Sequence, residues 1–474
     1  MPGNEHGKKA LKAGLSYTIG NIFCKGLSFI SAFIFARLMT PADYGIYNTF
    51  CSYVSILAVA IGFALHVSIK NAKIDYEKKL SEYCSSISLI VVANSVFLIA
   101  LSLVYKQQLS EILSLPAMMV VIVVIESFAN AMLMLYNDYL AVNFLSKKYL
   151  VISLVYAIVG MGLSLILVTT VFSDMRYMGR AFGTMIPLLC IALYILSTLY
   201  KTSAPKINRE YWKYGLKISL PIVPHGLSQL LLSQFDRIMI KKSIGDFAAG
   251  MYSFANNIGF IFQIITNSMD TAWNPWFFGR MSEKDYGTIR KSANIYAAAV
   301  AVMACCLFLI SPELILIMGG NEYRESRYVV IPIVLSVYFS FMYTLPSAIE
   351  YYYKKTNLIA IGTMAAAALN VLLNSIFIPL YGYTAAAYTT VFCYACYYVI
   401  HTFVSRHIHG SFIYNIKIMA ALVLFTVLFA FLCLYLVDKT WIRIAILLGG
   451  MVVAASMALR FKEELLAALR KLKG

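Results

Sequence analysis

The chain has 474 residues, of which 61% are hydrophobic and only 13% charged, with a mean hydropathy of +0.75. A soluble globular protein carries roughly a quarter charged residues, so composition excludes a water-soluble fold and fits a lipid solvent, where an unpaired ion costs at least a few kcal/mol. The net charge of +17 would point to nucleic acid in a soluble protein, but the positives here sort by membrane topology, which removes nucleic acid as a partner.

Apolar runs of about twenty residues recur, as helical crossing of a ~30 Å hydrocarbon layer requires. Stretches such as Leu422–Leu436 lack the alternation of an outer-membrane barrel. The predicted spans are 14–37, 44–69, 83–105, 116–140, 147–172, 178–200, 215–240, 246–273, 288–310, 328–352, 358–378, 383–405, 412–437 and 440–460. Residues 1–13 hold Lys8, Lys9 and Lys12 like a signal-peptide n-region. The run that follows is too long for one, carries Lys25 and has no small-residue cleavage site, so it stays as span one. With the N-terminus inside, inside segments carry 27 Lys and Arg, outside segments 11, and Lys25 lies within span one. That excess places both termini in the cytoplasm.

Polar groups inside spans face a protein interface or a wet cavity, so their spacing matters. Span one carries Thr18, Asn21, Lys25 and Ser28 at helical spacing, and span two carries Asn48, Ser52, Ser55, Gly62 and His66. Span four adds Glu126, Asn130 and Asn137. Span seven has His225, Gln229, Ser233, Asp236 and Arg237, and span eight has Asn256, Gln263, Asn267, Asp270 and Asn274. Span ten has Ser336, Ser340, Tyr343, Ser347 and Glu350. Spans thirteen and fourteen show little at depth beyond Thr426, Cys433 and Ser456, and read as lipid-facing additions. Serines and threonines in such rows hold helices together at around 1 kcal/mol each. Lys25 lies too deep to snorkel and is assigned to a hydrated cavity. Asp236 and Arg237 read either as a solvated pair at the rim or as cavity residues. Glu126 reads as the partner of a cation across the bundle or as a lone protonated carboxyl, and His66 and Asp270 as groups near the cytoplasmic surface.

The segment 201–214, KTSAPKINREYWKY, separates six spans from eight. Gly14-Leu15, Gly26-Leu27-Ser28 and Gly45-Ile46-Tyr47 recur about 200 residues later as Gly215-Leu216, Gly226-Leu227-Ser228 and Gly250-Met251-Tyr252. Six intervening spans give both copies the same orientation, a parallel repeat with a site at its interface. The architecture expected is an all-α polytopic membrane protein of about fourteen helices. It comprises a lobe at 1–200, a cytoplasmic linker at 201–214, a second six-helix lobe at 215–405, and two accessory helices with a cytoplasmic tail at 406–474. The substrate cavity is expected among Lys25, Asn21, Asn48, Glu126, His225, Gln229, Asp236, Arg237, Asn256, Gln263, Asn267 and Asp270.

The nine cysteines sit almost entirely inside spans and behave as small apolar residues; Cys393 and Cys396 have no second pair to complete a zinc site. No phosphate-binding loop occurs, no nucleophile–base–acid set shares a hydrated loop, and the outside loops are too short to hold a glycan for catalysis. The expectation is a protein that is not an enzyme and needs no cofactor.

Several segments resemble the polysaccharide-transport family of the multidrug/oligosaccharidyl-lipid/polysaccharide exporter superfamily. These are ARLMTPADYGIY at 36–47, FDRIMI at 235–240 followed by Gly250-Met251-Tyr252, Asn274-Pro275-Trp276, and the stretch 352–387 with YYKKTNL, Asn370, Asn374 and IPLYG. The resemblance implies an oligosaccharide flippase of a bacterial plasma membrane. It would move undecaprenyl-pyrophosphate-linked glycan by alternating access between two lobes, with a polysaccharide polymerase and chain-length proteins as partners. Lys25 occupies the place of cationic first-helix residues in the related lipid II flippase, where a point charge would attract the pyrophosphate. The alternatives are a drug–cation antiporter of the same superfamily, disfavoured because span one has no carboxylate before Asp43, and a glycan polymerase or ligase. A scaffold role for other glycan-assembly enzymes stays open as an addition.

Overall fold

The structure, a computed structural model, describes residue 20 and residues 23–460. Fourteen long helices correspond one for one to the predicted spans: α1 (residues 23–38), α2 (Pro41–Gly62), α4 (Leu80–Val104), α6 (Ala117–Val142), α7 (Ser146–Thr169), α8 (Arg176–Thr202), α10 (Val223–Ser243), α11 (Asp246–Ser282), α12 (Tyr286–Gly319), α13 (Arg327–Tyr352), α14 (Thr356–Tyr381), α15 (Thr384–His409), α16 (Ile416–Tyr435) and α17 (Thr440–Arg460). Three short ones, α3 (Ser68–Asp75), α5 (Lys106–Leu113) and α9 (Arg209–Ser219), lie between them. Among the described residues nine helices are long and apolar enough to cross a membrane on those criteria alone. The chain is a multi-pass membrane protein. Its described residues form two compact units, one comprising those up to Asn257 with Thr356–Tyr397, the other Ile258–Lys355 with those from Tyr398 to Arg460.

In the first unit α6 is the most enclosed helix and buries every side chain from Met119 to Val124. Lipid tails are as apolar as leucine, so burial alone does not drive such packing; close approach of small residues does. The α7–α8 pair shows this. A Cβ on Gly183 would lie 2.6 Å from Ser164 N, and one on Gly179 would lie 2.9 Å from Leu167 C.

Helix α2 starts where Thr40 accepts from Asp43 N at 3.1 Å and Pro41 fills the first turn. It ends at Gly62 rather than 69, because Phe63 and Ala64 turn left-handed (φ 46° and 50°) and leave His66 in a 3-10 turn. The predicted seventh span is likewise shortened. Residues 215–219 belong to α9, and α10 begins only at Val223, after a 3-10 turn at Leu220–Ile222. The linker segment is therefore helical from Arg209, capped by Asn208, which accepts from Glu210 N at 2.9 Å. Its Tyr211 and Tyr214 pack edge-on against Tyr76 and Tyr83 at centroid distances of 5.0–5.9 Å. Tyr214 also donates to Asp75 at 2.5 Å, and Trp212 Nε1 to Ser86 O at 2.9 Å.

Helix α11 does not stop at Asn274-Pro275-Trp276, as the sequence suggests, but runs 37 residues to Ser282. In the second unit α12 packs against α13, α16 and α17. The reading of spans thirteen and fourteen as mere lipid-facing additions needs correcting for α17. Arg443 is 0% exposed and donates to both Glu313 carboxylate oxygens on α12 at 2.5 and 2.6 Å, and to the carbonyls of Leu309, Leu436 and Val437. Asp438, just before α17, accepts from Arg327 at 3.0 Å and Tyr328 at 2.8 Å.

Candidate functional site

The two Gly-x-Tyr segments of the repeat meet in the first unit. A Cβ on Gly45 would collide with Asp246 O and lie 2.7 Å from Gly250 N, and a Cβ on Gly250 would collide with Pro41 O. Each glycine thus lets the first turns of α2 and α11 cross backbone to backbone. Around the crossing Tyr44 accepts from Asn257 Nδ2 at 2.6 Å, and Lys241, itself buried, pairs with Asp246. By contrast, a Cβ on Gly26 or Gly226 meets nothing within 4 Å, and Gly14 lies outside the described residues.

Asp236 on α10 is buried, not a solvated rim group, and among the described residues no ion pair joins it to Arg237. Tyr252 on α11 donates to it at 2.6 Å, Asn374 on α14 at 2.7 Å and Thr390 on α15 at 3.0 Å. Asn370 accepts from Asn374 and donates to Thr390, both at 3.1 Å, and Thr389 donates to Asn374. One carboxyl is enclosed by neutral hydroxyls and amides from three other helices. A carboxyl held only by neutral hydroxyls and amides suits a proton or a hard cation, not a transition metal. Among the described residues no group of three or more His, Cys, Asp or Glu could hold a metal ion.

Arg237 turns the other way, to Gln234, whose Oε1 also accepts from Ser52 of α2 at 3.4 Å. Beyond α2 lies a cavity of about 230 Å³ inside the first bundle, bounded by Ser28, Ser31, Tyr47, Tyr156, Arg180 and Thr184 among others. Glu126 accepts from Thr184 at 3.2 Å at its edge. Lys25 is exposed on α1, one turn before Ser28, and Asn48 is half-buried on α2, donating to Tyr44 O at 2.8 Å. His225 and Asn256 are half-buried and Gln229 is exposed. Asn21 and Thr18 lie outside the described residues. A second, larger cavity of about 670 Å³ is apolar, lined by Phe377, Tyr381, Tyr388 and Phe392 of α14 and α15.

In the second unit Gln263 is half-buried, Asn267 is exposed, and Asp270 accepts from Asn274 at 3.1 Å. Glu350 contacts His401 Nδ1 at 2.5 Å with both side chains buried, and the Tyr343 ring lies 5.4 Å from the imidazole. His401 and Arg180 are the groups the sequence reading missed. Each sits on a helical face with another polar group, Thr184 four residues after Arg180 and Ser405 four after His401, and that spacing was the available signal.

A family model described as "Polysaccharide biosynthesis protein" matches residues 10–282. The chain is 21% identical over 409 residues to the probable low-salt glycan biosynthesis flippase Agl15 of Haloferax volcanii, covering 85% of this chain and 84% of that protein. Among solved structures it superposes on the lipid II flippase MurJ in an inward closed conformation with a TM-score of 0.71 at 14% identity, over 95% of this chain and 99% of that one. An inward-facing multidrug resistance MATE family transporter of the MOP superfamily gives a TM-score of 0.64 at 14% identity, over 81% and 95%. These two likenesses establish the fold.

Proposed function

The chain belongs to the polysaccharide biosynthesis protein family, and from that premise we propose that it is a flippase for undecaprenyl-pyrophosphate-linked oligosaccharide. It works in a bacterial inner membrane and carries its cargo from the cytoplasmic to the outer leaflet. Both termini are cytoplasmic in this reading, which puts the Gly45–Gly250 crossing on the outer side. The halves at 1–200 and 215–405 alternate access, and the product passes to a polymerase and chain-length proteins. Agl15, described as a flippase of glycan biosynthesis, supports the class.

The observation that carries the sign of the cargo is the set of cations held by spanning helices of the first unit. Lys25, Arg180 and Arg237 make no salt bridge among the described residues. Cations held on spanning helices without a salt bridge are costly and mark a pathway. They suit an anionic pyrophosphate and repel the organic cations that a drug antiporter would carry. Lys25→Ala is expected to abolish complementation of a flippase-deficient strain at unchanged expression; full complementation would remove Lys25 from the pathway.

Asp236 supplies the coupling in this reading. A carboxylate with only neutral donors is stable in a closed, lipid-enclosed bundle when a proton or a cation joins it. Asp236→Asn is therefore expected to slow glycan translocation in proteoliposomes by about tenfold or more and to abolish its response to an imposed ion gradient. An unchanged gradient response would exclude Asp236 from coupling.

A further inference from the structure

The cavity inside the first bundle holds a guanidinium with little to do. Arg180, half-buried on α8, has five N–H donors, and among the described residues one is used, Nη2 donating to Ser31 Oγ at 3.0 Å. Its Nε is sealed from solvent with no acceptor. Leaving such donors unpaired in a low-dielectric site carries a desolvation cost with no structural return. The plane of the fork is fixed all the same. Phe35, fully buried, lies under Arg180 Cζ at 3.4 Å from its ring centroid, and Tyr47 flanks it at 5.0 Å. A stacked, pre-oriented fork with free donors is what bidentate recognition of a phosphoryl group requires.

Among the described residues no carboxyl consumes it. Glu126 lies close enough to feel Arg180, yet it takes its hydrogen bond from Thr184 and forms no salt bridge. Ser28, Ser31 and Thr184 add hydroxyls to the cavity wall.

We propose that this cavity is a phosphoryl-anion site inside the first bundle, with Arg180 as the residue that grips the anion. The proposal deepens the flippase reading by giving the charged end of the cargo a seat beyond Lys25, which stands one turn from Ser28 on the exposed side of α1. The same chemistry would take free pyrophosphate or the pyrophosphate of a prenyl lipid.

The test uses the full-length protein in nanodiscs of zwitterionic lipid, read by the shift in melting temperature on titration with inorganic pyrophosphate and, separately, undecaprenyl pyrophosphate. Wild type should be stabilised in a saturable way by one or both; stabilisation by the lipid form alone means the prenyl chain adds to the grip. Arg180→Gln should weaken that stabilisation by tenfold or more in pyrophosphate concentration, and Arg180→Lys, which keeps the charge but loses the fork, should fall between. Gly160→Leu gives an independent variant. A Cβ there meets nothing nearer than 3.8 Å, so the side chain can fill the cavity while Arg180 stays, and it should lose the response as well. Wild-type response in both Arg180→Gln and Gly160→Leu, or no response in wild type, overturns the site. If wild type translocates no lipid-linked glycan while the Arg180-dependent response persists, the cargo reading falls and the anion site stands. If all variants translocate and respond as wild type does, the site falls and the cargo reading stands.

Discussion

A Gly250→Leu variant is expected to reach the membrane at normal levels and to lose transport by about a hundredfold. The cause is local and steric. The added Cβ would overlap Pro41 O, and the reciprocal change at Gly45 would overlap Asp246 O. Both obstacles are backbone atoms, so no rotamer change relieves them. Overpacking a well-packed core costs about 1–3 kcal/mol when side chains can shift, and here only separation of α2 from α11 can relieve it. Helix α2 also packs on α6 and α10, so insertion should survive. In the proposed topology the crossing closes the outer side, and holding it apart stops the cycle in one state. Complementation and thiol labelling of a cysteine introduced at Thr40 would read this out. Normal transport with Gly250→Leu would show that the crossing plays no part in the cycle.

The largest stability effect is expected at Arg443. Arg443→Ala leaves the Glu313 carboxylate without its cation and takes one donor from each of the carbonyls of Leu309, Leu436 and Val437. Breaking one side of a buried ion pair costs about 3–5 kcal/mol, whereas replacing both partners by apolar residues of similar volume is often neutral or better. Glu313 is 25% exposed at its side chain, which places the expected loss toward the lower end of that range. Arg443→Met with Glu313→Leu should therefore recover most of what Arg443→Ala loses. Thermal unfolding of the detergent-solubilised protein measures both, and a double variant no more stable than Arg443→Ala would show that the pair contributes more than the relief of its own burial. The polar anchor also bears on truncation. Removing residues after His409 strips α12 of its contacts with α16 and α17 and leaves Glu313 facing lipid.

The number and order of the spanning helices were legible because an apolar run of helical length has few other solutions in lipid. Helix ends were less so. The predicted second and seventh spans ran long because Phe63 and Ala64 carry no turn signature, and because Gly215 and Leu216 look as apolar as the helix after them. The glycine repeat was visible at 45 and 250, but nothing in one dimension says that the two copies would cross each other. Asp236 stood out as an acid in a span. Its partner Asn374 lies 138 residues away, and only the packing of α10 on α14 joins them. Arg180 carried only its spacing to Thr184 and Arg443 carried no signal as an anchor, since a cation a few residues into a span looks like one that reaches for the headgroups.

The junction between α9 and α10 has a mechanical consequence. Pro221 and Pro224 remove two amide donors within four residues, and the chain passes through a 3-10 turn there. No unbroken ladder of backbone bonds links the two rods. The four-tyrosine clamp pins α9 at its own end, so a change in the tilt of α10, which bears Asp236, would bend this elbow as a strut leans on a hinge. Tilting of α10 is absorbed at Leu220–Ile222, and the clamped rod need not follow it.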